Sequence, residues 1–244
     1  MTPPTDTVHA PLIASLAAVG LAAGWIQRAV IVRLAVPADQ PDGPDTPPLG
    51  AGPPPDASGA GRAVRPPVLA VGCATAILLG ALAARVHPGL ILAAACWLAA
   101  CAVPLAFVDA AVRRLPDPLT AAAYAGTAAL LLLAAAAGGH WHDMARAALG
   151  GVALAGFYLL PLLISPAGMG LGDVKAAASI GTLLAWPSWR LLIAGGFAGF
   201  LLAAIYGIAL LISGRATRKQ KIPFGPFMIA GAFLVILAAP LAGS

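Results

Sequence analysis

Glutamate is absent from the 244-residue sequence, and charged residues of every kind make up only 9% of it. A soluble domain typically carries about 25% charged residues, so this composition argues against a water-soluble fold. All nine acidic residues are aspartates, and five of them lie before residue 60. Carboxylate chemistry in the rest of the chain therefore depends on four side chains: Asp109, Asp117, Asp143 and Asp173.

Cysteine is scarce as well. The three cysteines, Cys73, Cys96 and Cys101, lie within apolar stretches and form no Cys-x-x-Cys pair. Isolated cysteines in apolar surroundings are typical of small core residues rather than of disulfides or metal ligands. We therefore expect neither a metal site nor another cofactor in this protein.

Most of the chain consists of long apolar segments, and 60% of its residues are hydrophobic. A transmembrane helix needs roughly 20 apolar residues to cross a hydrocarbon core about 30 Å thick. No basic segment precedes the first apolar run, so a cleaved signal peptide is not expected. The sequence predicts an all-α, polytopic membrane protein with about eight transmembrane helices, near residues 10–32, 68–84, 89–108, 119–138, 147–165, 174–188, 191–213 and 224–241.

The distribution of Lys and Arg predicts the orientation in the membrane. With eight crossings and the N-terminus outside, eleven of the 14 basic residues lie on the inner side, and only Arg85, Arg146 and Arg190 lie outside. This asymmetry follows the positive-inside rule. It also explains the net charge of +5, so no nucleic-acid partner is expected. We interpret "RATRKQK", residues 215–221, as an anchor at the inner leaflet.

One segment differs in composition from the rest of the chain. Residues 37–67 contain ten prolines and five glycines among 31 residues. Such a composition cannot build a hydrophobic core and predicts a cytoplasmic linker. The chain is accordingly divided into an N-terminal segment with the first span (1–36), this linker (37–67) and a transmembrane domain (68–244).

The predicted topology separates the four later aspartates. Asp109 ends the third span, Asp117 lies in the loop after it, and Asp173 lies just before the sixth span, so all three share the inner side. Asp143 belongs to "HWHD", residues 140–143, on the outer side. Two histidines and an aspartate could bind a metal, but we interpret this segment as an incidental loop.

Each of the two aspartates nearest the membrane boundary can be explained by a local structural role. Asp109 could form an ion pair with Arg113, one helical turn further along the chain. Asp173 could cap the N-terminus of the helix that follows it. Neither interpretation requires a catalytic role.

Two stretches of the sequence, taken together, indicate a function more specifically than either aspartate does alone. "DAAVRRLPDPLT", residues 109–120, and "GLGDVK", residues 170–175, resemble the two aspartate motifs of the type IV prepilin peptidases, membrane aspartic proteases of the GxGD group. "IPFGPFMIAG", residues 222–231, resembles the start of the last span in that family. The resemblance covers roughly residues 68–244 and agrees in order and topology.

The resemblance implies an aspartic endopeptidase in which Asp109 and Asp173 form the catalytic dyad. Two carboxylates within about 6 Å cannot both ionise cheaply, so one would hold a proton while the other activates water. The loop around Asp173, with Gly170, Gly172 and Lys175, would contact the substrate. The glycines would let the backbone of the substrate approach closely.

The resemblance also implies the substrate and the location. Prepilins or pseudopilins carry a short leader that ends in Gly, followed by an apolar helix that would lie in the membrane beside the enzyme. Cleavage after that Gly would take place at the cytoplasmic face of the inner membrane. Pilus or type II secretion machinery would be the partner system.

The chain departs from the family in its linker. Many relatives carry two Cys-x-x-Cys pairs suited to zinc after the first span and also methylate the new N-terminus. The corresponding linker here, 37–67, contains no cysteine. A zinc site is therefore not expected, and methyl transfer is doubtful.

Two other functions are compatible with the sequence. One is a proton-coupled transporter that uses paired aspartates, and the other is an inactive scaffold of the same fold. A proton relay should distribute ionisable groups across the membrane, whereas Asp109 and Asp173 are expected at one side. Both aspartates and the glycine loop are intact, which argues against an inactive scaffold.

Overall fold

The computed structural model describes residues 6–34, 67–112, 115–164, 170–213 and 223–239. Within these ranges the chain is all α-helical, which confirms the predicted fold class. The predicted linker lies outside the described residues except for Pro67, as does the basic segment 215–221. Eight helices are described in chain order: α1 (Asp6–Leu34), α2 (Val68–Arg85), α3 (Leu90–Val112), α4 (Asp117–Gly138), α5 (Trp141–Ile164), α6 (Leu171–Ala185), α7 (Trp189–Ile212) and α8 (Gly225–Ala238).

Six of the described helices are long and apolar enough to cross a membrane: α1 from Ala10 onward, α2, α3, α4, α5 and α7. Their outward surfaces are apolar too, since side chains such as Ile77, Val152 and Phe197 are more than 60% exposed. Exposed apolar area on this scale is expected of a surface that faces lipid. The protein is therefore a multi-pass membrane protein, and the side on which its N-terminus lies stays a prediction.

Helices α6 and α8 are shorter than the others, with 15 and 14 residues. At 1.5 Å per residue each is roughly 20 Å long, less than the thickness of a hydrocarbon core. α6 tolerates this because it is enclosed by protein: it contacts α3, α4, α5, α7 and α8. Ten of its 15 residues are buried. A helix surrounded by other helices does not need to match the thickness of the lipid.

Small residues allow this enclosure. A Cβ atom on Gly181 of α6 would lie 2.7 Å from the carbonyl oxygen of Gly150 in α5, and one on Gly151 would lie 3.0 Å from the carbonyl oxygen of Ala178. The two backbones are therefore in direct contact. Close approach of this kind replaces the missing hydrophobic driving force between helices in lipid.

The segment "HWHD" is not the loop that the sequence predicted. Gly139 ends α4 with φ of 72°, a left-handed conformation that favours glycine. The carbonyl oxygen of His140 then accepts a hydrogen bond from the Met144 amide, and α5 begins at Trp141. Asp143 lies in the first turn of α5, where the helix dipole favours an acidic side chain. The expected loop is thus reduced to a tight turn.

Arg146 gives this turn a structural role. Its guanidinium forms an ion pair with Asp143 at 2.8 Å and donates hydrogen bonds to the backbone carbonyls of Ala185, at 2.8 Å, and Trp186. These carbonyls lie at the C-terminus of α6, where the last carbonyl groups of a helix lack intrahelical donors. Arg146 therefore caps the end of the short helix from its neighbour α5.

Replacement of Arg146 should destabilise the helix bundle. In Arg146→Met the aliphatic stem remains, but the carbonyls of Ala185 and Trp186 lose this donor and Asp143 loses its ion-pair partner. We expect a loss of about 1–3 kcal/mol, seen as a lower thermal unfolding temperature in detergent micelles. Arg190→Met, at an exposed arginine on the same predicted side, is the matched control. Equal unfolding temperatures for the two variants would contradict the capping role.

Candidate active site

Asp109 lies in the last turn of α3 and is 4% exposed. Its Oδ2 atom accepts a hydrogen bond of 2.9 Å from the backbone N–H of Gly225, the first residue of α8. The first amides of a helix have no intrahelical acceptor and favour a negative charge. The N-terminus of α8 thus compensates part of the cost of burying this carboxylate. Arg113, the ion-pair partner considered above, lies outside the described residues.

Asp173 is the third residue of α6 and is 5% exposed. Its Oδ2 atom accepts a hydrogen bond of 3.1 Å from the Gly170 N–H, and its own N–H donates to the Gly170 carbonyl at 3.1 Å. The helix-capping geometry considered above is therefore present. It uses only one carboxylate oxygen, however, because Oδ1 is buried without a hydrogen-bond partner in the described part of the chain. Capping alone does not explain a buried acceptor of this kind.

The fold brings the two aspartates to one place. α3, which carries Asp109, packs against α6, which carries Asp173, although 63 residues separate the two aspartates in the sequence. Leu115, between α3 and α4, packs on the N-terminus of α6: a Cβ on Gly172 would lie 2.6 Å from the Leu115 Cβ and 3.1 Å from its carbonyl oxygen. Gly172 thus lets the first motif contact the second.

The remaining residues of the predicted site have distinct environments. Gly170 is exposed, with φ of −97° and ψ of 156°, so it does not adopt a positive φ. Lys175 is also exposed, and its Nζ lies 2.7 Å from Oδ1 of Asp117. This ion pair joins α6 to the start of α4. Contact of Gly170, Gly172 or Lys175 with a substrate stays a prediction.

Two further residues of the site were not identified from the sequence. Gly225 donates a hydrogen bond to Asp109, and Tyr158 of α5 is fully buried, with its ring 5.5 Å from that of Phe224, the residue before Gly225. The motif "IPFGPFMIAG" drew attention to the segment that contains Gly225, but nothing in it indicates a contact with Asp109. Tyr158 lies in a continuous apolar run and carries no signal of its own.

These features define a multi-pass membrane protein with two buried carboxylates at neighbouring helix ends. The family model described as "Type IV leader peptidase family" matches residues 92–212, which include both aspartates. The chain belongs to this family, as predicted.

Curated relatives support the assignment. A "Prepilin leader peptidase/N-methyltransferase" of Bacillus subtilis (strain 168) is 38% identical over 87 residues, 35% of this chain and 34% of the relative. A protein of the same name from Aeromonas salmonicida (strain A449) is 32% identical over 170 residues, 67% of this chain and 55% of the relative. "Leader peptidase HopD" of Escherichia coli is 40% identical over 78 residues, 31% of this chain and 48% of the relative.

The matches cover between about a third and just over half of these relatives. No solved structure matches the chain with comparable significance.

The ion pair between Lys175 and Asp117 should contribute little to stability. Both side chains are largely exposed, at 51% and 72%, and exposed pairs are typically worth about 0–1 kcal/mol. We expect a double-mutant cycle of Asp117→Asn and Lys175→Met, measured by unfolding in micelles, to give a coupling energy in this range. A coupling well above about 1 kcal/mol would show that the pair is a structural clamp between α4 and α6.

Proposed function

We propose that this protein is an aspartic endopeptidase that removes the leader peptides of type IV prepilins or pseudopilins. The observation that carries the proposal is that Asp109 and Asp173 are both buried, at helix ends that the contact between Leu115 and Gly172 brings together. Buried carboxylates are costly, so a pair that the fold brings together is a candidate for function. Membership of the type IV leader peptidase family agrees with this chemistry.

The chemistry follows from the shared environment of the two acids. Two negative charges in a poorly hydrated site repel each other, so the pair retains one proton. The ionised carboxylate removes a proton from a water molecule, whose oxygen attacks the carbonyl carbon of the scissile peptide bond. The protonated carboxyl group donates a hydrogen bond, and then its proton, to the carbonyl oxygen. A neutral tetrahedral intermediate results, without a covalent bond to the enzyme.

Collapse of this intermediate completes the hydrolysis. The C–N bond breaks as one carboxyl group of the dyad gives its proton to the leaving nitrogen and the other carboxylate takes a proton from a hydroxyl group of the intermediate. The products are a carboxyl group and a free amine, and the dyad again holds one proton. The buried Oδ1 atom of Asp173 is suited to hold the proton that moves in these steps, because it forms no hydrogen bond within the described residues.

The substrate and the location are inferred from the relatives and from the charge pattern. The relatives are named as peptidases of prepilin leaders. In the orientation that the positive-inside rule favours, the ends of α3 and α6 that carry the aspartates face the cytoplasm. Cleavage would then occur after the Gly of a leader, at the cytoplasmic face of the inner membrane, in the service of a pilus or secretion system.

Methyl transfer is not part of the proposal. The names of two of the relatives include this activity, but the matched regions cover 34% and 55% of those proteins. The linker 37–67 also lacks the cysteine pairs expected for a zinc site.

The arrangement of ionisable groups disfavours a proton-coupled transporter. A relay across the membrane needs proton-accepting groups at several depths. Asp109 and Asp173 are the only aspartates of α3 and α6, and they lie together at one end of each helix. The buried Ser179 and Thr182 further along α6 do not change their charge.

The isosteric variants Asp109→Asn and Asp173→Asn should each abolish cleavage. Each substitution keeps the shape of the side chain but removes the group that accepts or donates the proton, and such groups typically contribute about 10²–10⁴-fold to the rate. Cleavage is measured as the mass shift of a co-expressed prepilin. Asp143→Asn is the matched control, because Asp143 pairs with Arg146 near the opposite end of α6. It should retain near-native cleavage.

Membrane insertion of all three variants is checked by membrane fractionation. Near-native cleavage by Asp109→Asn or Asp173→Asn would disprove the dyad. Proton flux in vesicles together with no peptide cleavage by the native protein would favour the transporter instead.

A further inference from the structure

Gly225 directly faces the side chain of Asp109. A Cβ atom placed on it would lie 2.8 Å from Oδ2, 3.2 Å from Cγ and 3.3 Å from Cβ of Asp109. All three of the nearest atoms thus belong to a single side chain, the one to which the Gly225 amide donates. By contrast, a Cβ on Gly231 in the same helix would meet the backbone of Ala198 and Gly199. Gly231 therefore serves helix packing, whereas Gly225 faces the carboxylate.

The position of the Gly225 amide is fixed by the residue before it. Phe224 immediately precedes α8, and its ring lies 4.9 Å from the ring of Phe200 in α7 and 5.5 Å from that of Tyr158 in α5. Aromatic pairs at these separations attract each other beyond their simple burial. The start of α8 is therefore anchored in a cluster of three rings, Tyr158, Phe200 and Phe224.

Backbone contact between α7 and α8 limits movement of α8 further. A Cβ on Gly199 of α7 would lie 3.0 Å from the Cα of Met228, one turn into α8. A helix held this closely cannot slide or rotate without moving its neighbour. The N–H of Gly225 is thus presented to Asp109 from a rigid support.

We propose that Gly225 is a positioning residue for Asp109. Its amide orients the carboxylate from the N-terminus of α8, and the absence of a side chain at this position is what allows the carboxylate to approach. This inference rests on the proposed function, in which Asp109 belongs to the catalytic dyad.

The physical reason for such a support is that proton transfer and attack by water depend strongly on geometry. A displacement of about 1 Å at a reacting group can cost 10²-fold in rate. A carboxylate at the end of a helix can rotate about its side-chain bonds unless a fixed donor holds it. The Gly225 amide provides that donor.

Gly225→Ala tests the positioning role. The added methyl group displaces the Asp109 carboxylate while the backbone N–H remains, so we expect kcat for prepilin cleavage to fall about 10- to 100-fold. KM should remain unchanged, because Gly225 does not bind the substrate. Gly156→Ala is the matched control: it adds the same methyl group to a helix of the bundle, at a position with open space around it. Its kcat and KM should equal those of the native protein.

A stability cycle tests the contact independently of catalysis. Gly225→Ala should lower the unfolding temperature in the native background but have little effect in an Asp109→Ala background, because that variant lacks the two atoms nearest to the added methyl group. This arm remains informative if Gly225→Ala alone folds poorly, since Asp109→Ala should then restore folding.

The kinetic measurement and the stability cycle together distinguish a wrong positioning role from a wrong proposed function. A native kcat in Gly225→Ala, or equal losses of stability in both backgrounds, would overturn the positioning role. A native protein that cleaves no prepilin would refute the peptidase function, while the stability cycle would still decide whether Gly225 contacts Asp109 as described.

Discussion

The pairing of buried carboxylates with helix N-termini is the constraint on which this structure depends. A charged group in a poorly hydrated interior is unfavourable unless donors surround it. Asp109 receives an amide from the start of α8, and Asp173 accepts one from Gly170 at the start of its own helix. Both acids thereby accept hydrogen bonds from backbone amides. Backbone donors on packed helices keep their position, which suits a site that must hold two acids together.

The short helix α6 makes this arrangement possible. Because α6 is enclosed by five other helices, its length need not match the thickness of the lipid. Arg146 caps its opposite end, and Gly172 lets it contact Leu115 at the end that carries Asp173. The helix is therefore fixed at both ends by protein. Its position, rather than its hydrophobicity, decides where the second aspartate lies.

Much of the fold could be predicted from the sequence because apolar run length is a local signal. The eight helices were located to within several residues, and the early start of α5 at Trp141 was the main error. That error arose because "HWHD" is rich in polar residues, which favoured a loop, whereas α5 begins at Trp141 within it. A left-handed Gly139 and the acidic Asp143 in the first turn were the relevant local signals.

The sequence by itself determined that the chain is a helical membrane protein, and it indicated Asp109 and Asp173 as candidate catalytic residues. These conclusions need no tertiary structure, because composition, run length and motif spacing are properties of neighbouring residues. Only the tertiary structure decided that Gly225 donates to Asp109 across 116 positions and that the ring of Tyr158 packs against that of Phe224. Such contacts depend on which helix faces pack together. Hydrophobicity does not decide which faces pack together, because an apolar face can contact either lipid or another helix. Close packing and the need of buried carboxylates for hydrogen-bond donors decide it instead.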